Sequence, residues 1–126
     1  MRDYSKTWTD YLGRVWPIVQ SNRRLRFKIP AHAALRAHVF HRDDYKCLRC
    51  PAEAIDVPFT YTGEQTLETN IINEHGRRTV LVADHVLTLR AGGTSVIENL
   101  QTLCDTCNRK KLKEDLVAIR LEGVME

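Results

Sequence analysis

The period of the hydrophobic positions changes several times along the chain, and each change marks an element. Trp8, Tyr11, Leu12, Val15 and Val19 recur at helical spacing behind Thr7, with Asp10 three residues on, which predicts a short capped amphipathic helix over 7–16 that Pro17 kinks or ends. Its aromatic stripe reads as core packing or a docking face rather than a platform for stacking bases. From Arg24 to Ile29 basic and apolar residues alternate, the period of an extended segment with one charged face. That face suits a phosphate backbone and a charge-protected edge strand equally well. After Pro30, residues 31–42 are rich in helix formers, with Leu35 and Val39 on one side. Two β-branched and aromatic runs, 57–62 and 66–72, are separated by Gly63-Glu64 and followed by His75-Gly76, and they predict a hairpin-like insertion. Residues 79–83, Thr-Val-Leu-Val-Ala, read as a buried strand ending at Asp84-His85. A loop with Gly92-Gly93 follows, then a short returning strand from Leu100 to Leu103. Asp105 or Thr106 caps a last helix carrying Cys107, Asn108 and the apolar positions Leu112, Leu116 and Ile119.

The cysteines change this picture most. Cys47-Leu48-Arg49-Cys50 and Cys104-Asp105-Thr106-Cys107 use all four in the chain. Two such units imply one four-thiolate metal site, and without a secretory leader they read as reduced thiolates in a cytosol rather than as disulfides. Tetrahedral thiolate sites hold zinc or iron, and nothing else in the chain suggests redox chemistry, so zinc is expected. His32, His38 and His41 then read as surface or packing residues, because four cysteines complete the shell. At 126 residues the chain fits one small domain. Zinc binding of about 10–16 kcal/mol is comparable to a net stability of roughly 5–15 kcal/mol, so loss of the metal is expected to unfold much of it.

The formal charge of +3 is modest, but its placement is uneven. Arg23, Arg24, Arg26, Lys28, Arg36, Arg42, Lys46 and Arg49 crowd residues 23–50, and Arg109-Lys110-Lys111 follows the last cysteine, whereas residues 51–76 hold five acidic side chains and no lysine or arginine. A polyanion senses that placement. No apolar run approaches the roughly 18–20 residues of a membrane span, and the N-terminus lacks the apolar stretch of a signal peptide, so a soluble, cytoplasmic protein is expected.

The segment ADHVLTLRAGGTSVIENLQTLCDTCNRKK, with HVFHRDDYKCLRC upstream, resembles the HNH endonuclease family in its four-cysteine, zinc-stapled form. The resemblance implies an α+β chain: a ββα-metal domain over 30–126, with the predicted helix and basic extended arm of residues 1–29 added before it. Asp84 resembles the carboxylate ligand of a catalytic metal, His85 the general base, Asn99 the residue that pins the loop, and Asn108 the last ligand position, in an H-N-N variant. Cys47, Cys50, Cys104 and Cys107 would hold structural Zn²⁺. An oxygen donor at Asn108 favours Mg²⁺ or Mn²⁺ at the catalytic position. The implied substrate is DNA, with Arg109, Lys110 and Lys111 on its backbone. The implied state is a monomer or weak dimer, with a protein partner from a phage packaging or restriction system in view. The alternative is a noncatalytic zinc module that binds nucleic acid or protein through the Trp8 and Trp16 region and the basic arms. It explains cysteines and charge but gives Asp84, His85, Asn99 and Asn108 no joint purpose.

Overall fold

The computed structural model describes residues 6–18, 25, 29–57 and 66–125. Val19, most of the alternating arm over 24–29, nearly all of the run 57–62, Gly63-Glu64 and the side chain of Ile119 lie outside the described residues.

The N-terminal region corrects the expected helix. Thr7–Thr9 (β1) and Val15–Pro17 (β2) form an antiparallel hairpin with Trp8 opposite Trp16. The cause is Asp10, which is buried in the turn. Its Oδ1 accepts from the backbone N–H of Leu12 and of Arg14, each at 2.9 Å, and its Oδ2 accepts from Trp16 Nε1 at 2.6 Å. Such side-chain bonds offer the backbone an alternative to the helical ladder, and Gly13 supplies the left-handed turn position at φ 80°. The hairpin docks on the next helix: Trp8 stands edge-on to His38 with ring centroids 5.2 Å apart, and Tyr11 stacks on His41 at 4.2 Å. These two histidines are thereby packing residues.

Helix α1, Pro30–Arg42, starts with proline in its first turn, where a missing N–H costs nothing. Ala33, Ala34, Leu35, Val39 and Phe40 are its buried apolar residues. It ends in a double reversal in which Tyr45 N–H reaches Phe40 O at 2.8 Å and Asp44 N–H reaches His41 O at 3.1 Å. That reversal aims the chain at the first CxxC unit.

The central sheet has the order β3-β4-β5, all antiparallel, from Glu68–Ile72 (β3), Arg78–His85 (β4) and Leu100–Cys104 (β5). The second half of the acidic segment is therefore a strand of this sheet. It turns into β4 over Asn73, whose Oδ1 accepts from the N–H groups of His75 and Arg77. Helix α2, Asp105–Met125, begins directly after β5. Leu35, Val39 and Leu100 pack under the hairpin, while Phe40, Leu67, Leu81 and Leu103 pack around the cysteines. Leu112 and Leu116 are largely exposed, because α2 turns Cys107 and Lys111 inward instead. The result is a small mixed α/β fold with two helices and two sheets among the described residues, in keeping with a ββα-metal core. No described helix is long and apolar enough to cross a membrane.

Replacing the buried Asp10 by alanine removes the charged acceptor of three hydrogen bonds, which typically costs about 1.5–3 kcal/mol. Urea denaturation of Asp10→Ala is expected to show an unfolding free energy lower by that amount, read as a lower midpoint at unchanged slope. An unchanged midpoint would mean that the turn holds without the carboxylate.

Candidate active site and metal centre

Cys47 and Cys50 lie on the loop after α1, Cys104 ends β5, and Cys107 sits in the first turn of α2. Their sulfurs all lie within 4.8 Å of one another, with Cys50 and Cys104 at 3.6 Å. A tetrahedral zinc with bonds of about 2.3 Å separates its sulfurs by about 3.8 Å, so the cluster fits one such ion. A disulfide needs about 2.05 Å. Backbone donors also aim at sulfur, from Arg49 to Cys47 at 3.5 Å and from Cys107 to Cys104 at 3.4 Å. Burial opposes ionisation of Cys47, but N–H groups of Arg49, Cys104 and Cys50 outweigh it and bring the thiol down to about 7. Cys107 is pushed far up, by burial first and then by its sulfur neighbours. One thiolate forms readily here; four side by side need a cation.

The clamp fixes β5, and β5 fixes the end of β4. In register, Asp84 faces Gln101 and His85 faces Leu100. Gln101 Nε2 donates to Asp84 Oδ2 at 2.9 Å, and the Lys111 ammonium pairs with the same oxygen at 3.3 Å. Asp84 Oδ1 has no partner among the described residues. Lys111 also donates to His85 O at 3.0 Å and to Asp115 Oδ2 at 3.2 Å. Lys111 was expected beside Arg109 and Lys110 on a DNA-facing surface. Those two are exposed, but Lys111 is 6 % exposed and committed to the strand.

The His85 ring is held at one nitrogen. Its Nε2 lies 2.8 Å from Oγ of Ser95, which is fully buried, and its Nδ1 has no partner among the described residues. Burial holds the imidazole below its ordinary pKa, Asp84 draws it back, and Lys111 lowers it further. Burial and Lys111 both favour the neutral ring, the form able to accept a proton.

The loop between β4 and β5 is strapped by Asn99. Its Oδ1 accepts from Leu87 N–H at 2.8 Å, and its Nδ2 donates to Leu87 O at 3.0 Å and Thr94 O at 2.8 Å. Gly93 lies against the strap, where an added Cβ would stand 1.9 Å from Leu87 O and 2.9 Å from Asn99 Nδ2. Asn99 thus acts on the loop that carries Ser95, while Asp84, His85, Asn108, Lys111, Arg36 and Arg90 line a cleft of about 530 Å³. Asn108 is half-buried at this wall. A carboxylate oxygen and an amide, with an imidazole beside them whose Nδ1 has no partner among the described residues, can bind a hard cation and take a proton from water. Sequence reasoning missed Ser95, Gln101 and the inward turn of Lys111. Strand pairing of His85 with Leu100 would have placed Gln101 against Asp84, but nothing local marks Ser95.

Gly93→Ala drives a methyl group into backbone, and even a 1 Å displacement of a reacting group can cost about 10²-fold in rate. Any turnover of this site should fall by at least that factor while the thiolate cluster still binds zinc. Parental turnover in the alanine variant would show that the loop relaxes freely. Zinc removal by a thiol-reactive agent should instead abolish cooperative unfolding, read by calorimetry, because binding of about 10–16 kcal/mol is lost. A persisting transition would make the cluster dispensable for folding.

Residues 70–114, from within β3 into α2, match the family model described as HNH endonuclease. Comparison with curated proteins and with solved structures gave no match. The matched segment contains Asp84, His85, Asn99, Asn108 and the second pair of cysteines, and over those residues the chain is similar to an HNH endonuclease domain.

Proposed function

We propose that the protein is a metal-dependent endonuclease that hydrolyses DNA phosphodiester bonds, with His85 as general base and a divalent cation held by Asp84 and Asn108. The observation that carries this reading is the shared cleft: these three side chains line it together inside the matched segment. In the tautomer that carries its proton on Nε2, His85 donates to Ser95 Oγ and keeps the Nδ1 lone pair to take the proton of an attacking water, an effect worth about 10²–10⁴ in rate. As the water oxygen bonds to phosphorus, the bond to the 3′ oxygen breaks, giving 5′ phosphate and 3′ hydroxyl ends. When bound, the cation supplies charge neutralisation at the phosphate and at the departing oxygen.

The donor set supports Mg²⁺ or Mn²⁺, since Asp84 Oδ1 and the Asn108 amide oxygen are both hard ligands. Gln101 and Lys111 act through Asp84: two donors on Oδ2 leave Oδ1 for the cation. Arg109 and Lys110, exposed on α2 beside Asn108, suit contacts to the DNA backbone. A single site of this kind cuts one strand per engagement, so a double-strand break requires a second copy or successive nicks. The noncatalytic alternative loses its surface in part, because Trp8 packs on His38 and Trp16 is bonded to Asp10.

A plasmid-nicking assay with Mg²⁺ tests the reading. His85→Ala is expected to lower the nicking rate by about 10²–10⁴, with zinc content and melting temperature unchanged. Nicking at the parental rate would remove His85 from the chemistry. Faster cleavage with nickel or zinc than with Mg²⁺ would overturn the oxygen-donor assignment.

A further inference from the structure

Cations outnumber anions along the cleft. Arg36, Arg90 and Lys111 line it against one carboxylate, that of Asp84, and a cleft of one sign raises the local concentration of the opposite charge. Two of these cations are engaged within the protein. Lys111 is paired with Asp84 and Asp115, and Arg36 is buried in α1, stacked over Phe40 and engaged by a further interaction. Arg90 differs. It is exposed, and its guanidinium makes no ion pair or hydrogen bond among the described residues.

The backbone beneath Arg90 is nonetheless fixed. Arg90 is the middle residue of the short 3₁₀ turn Leu89–Ala91, which Thr88 caps. Thr88 O accepts from Ala91 N–H at 3.0 Å and from Gly93 N–H at 2.9 Å, and Leu89 O accepts from Gly92 N–H at 3.1 Å. Thr88 Oγ1 adds a bond from Ala91 N–H at 3.2 Å. Gly92 closes the turn at φ 94°, a left-handed value that favours glycine. Just before the turn, the Asn99 side chain holds Leu87 by both its N–H and its carbonyl. The fold asks nothing of the Arg90 side chain.

Resting on the nuclease reading above, we infer that Arg90 binds a phosphate of the strand that enters the cleft. A cationic head on an anchored turn gives up only its own side-chain freedom on binding, because the backbone is already ordered. Its planar donors match two phosphate oxygens at once, which an ammonium cannot do. Arg90 shares the cleft with Asp84, His85 and Asn108, whereas Arg109 and Lys110 are not part of its lining. It is therefore a substrate contact at the reacting strand, distinct from the surface contacts of α2.

The test measures duplex DNA binding across a salt series with Mg²⁺ present, in the full chain carrying His85→Ala so that the DNA stays intact. Adding Arg90→Gln should weaken binding roughly tenfold, as for a lost charge-assisted hydrogen bond. It should also lower the slope of log K against log salt by about one. Arg90→Lys should keep the slope and recover part of the affinity. Arg77→Gln removes the same charge from an exposed position on the turn before β4, outside the cleft lining, and should leave slope and affinity parental. Parental binding in Arg90→Gln, or an equal loss in Arg77→Gln, would overturn the role of Arg90 while leaving His85 untouched. Absence of salt-dependent DNA binding in the His85→Ala parent would bring down the nuclease reading and this proposal with it.

Discussion

Four sulfurs converging within 4.8 Å join the loop after α1 to the junction of β5 and α2. Cys50 and Cys104 are 54 residues apart in sequence, and closing a loop of that length costs entropy that local contacts must repay. The apolar residues available nearby are few: Phe40, Ala52, Leu67, Leu81 and Leu103 make up most of the core around the cluster. A core this thin marks the usual need of small domains for a staple. Thiol ionisation sets the condition. Cys47 ionises readily while Cys107, buried among the other sulfurs, resists, so keeping all four as thiolates calls for a compensating cation.

From this junction the geometry passes outward along two rigid elements. β5 runs away from Cys104 and, through its pairing with β4, places Gln101 against Asp84. α2 runs away from Cys107, presents Asn108 at once, and one turn later sends Lys111 back to Asp84 and to the carbonyl of His85. A buried ammonium between carboxylates gains little net stability, because desolvation offsets much of the attraction. What this one does is geometric: it ties α2, and with it Asn108, to Asp84 at the end of β4. The loop between them is constrained independently by Asn99 and Gly93.

The parts that were legible in the sequence are those fixed by local pattern or by spacing. The buried strand over 79–83, the return at 100–103, the helix after Pro30 and the paired CxxC units all carry their signal in a few adjacent residues. The N-terminal segment was misread because its aromatic spacing fits a helix, while the competing signal is one carboxylate, Asp10, that reaches three donors within six residues. Thr-Trp-Thr and Val-Trp-Pro around Asp10 and Gly13 carry the hairpin pattern in hindsight. The contacts of Ser95 with His85 and of Lys111 with Asp84 bridge 10 and 27 positions of a folded chain. Such contacts depend on register and helix phase, which composition does not encode. The same holds for Arg36, a basic residue among many until α1 is packed against the sheet.

The matched segment, residues 70–114, is not a self-sufficient unit in this chain. It supplies Cys104 and Cys107 but only half of the thiolates, and it supplies Asp84, His85 and Asn108 but only part of the cleft lining. Cys47 and Cys50 arrive on the loop after α1, and α1 itself is fastened to the start of β5 by Arg42, whose guanidinium donates to Leu100 O at 2.6 Å and Ile97 O at 3.0 Å. Asp43 adds a bond from Thr102 N–H at 2.9 Å. These contacts meet the strand that faces Asp84 and His85, so α1 both delivers the missing thiolates and sets the far wall of the cleft. The segment before residue 70 therefore belongs to the cleft: residues 70–114 supply Asp84, His85 and Asn108, and the preceding helix supplies part of the frame around them.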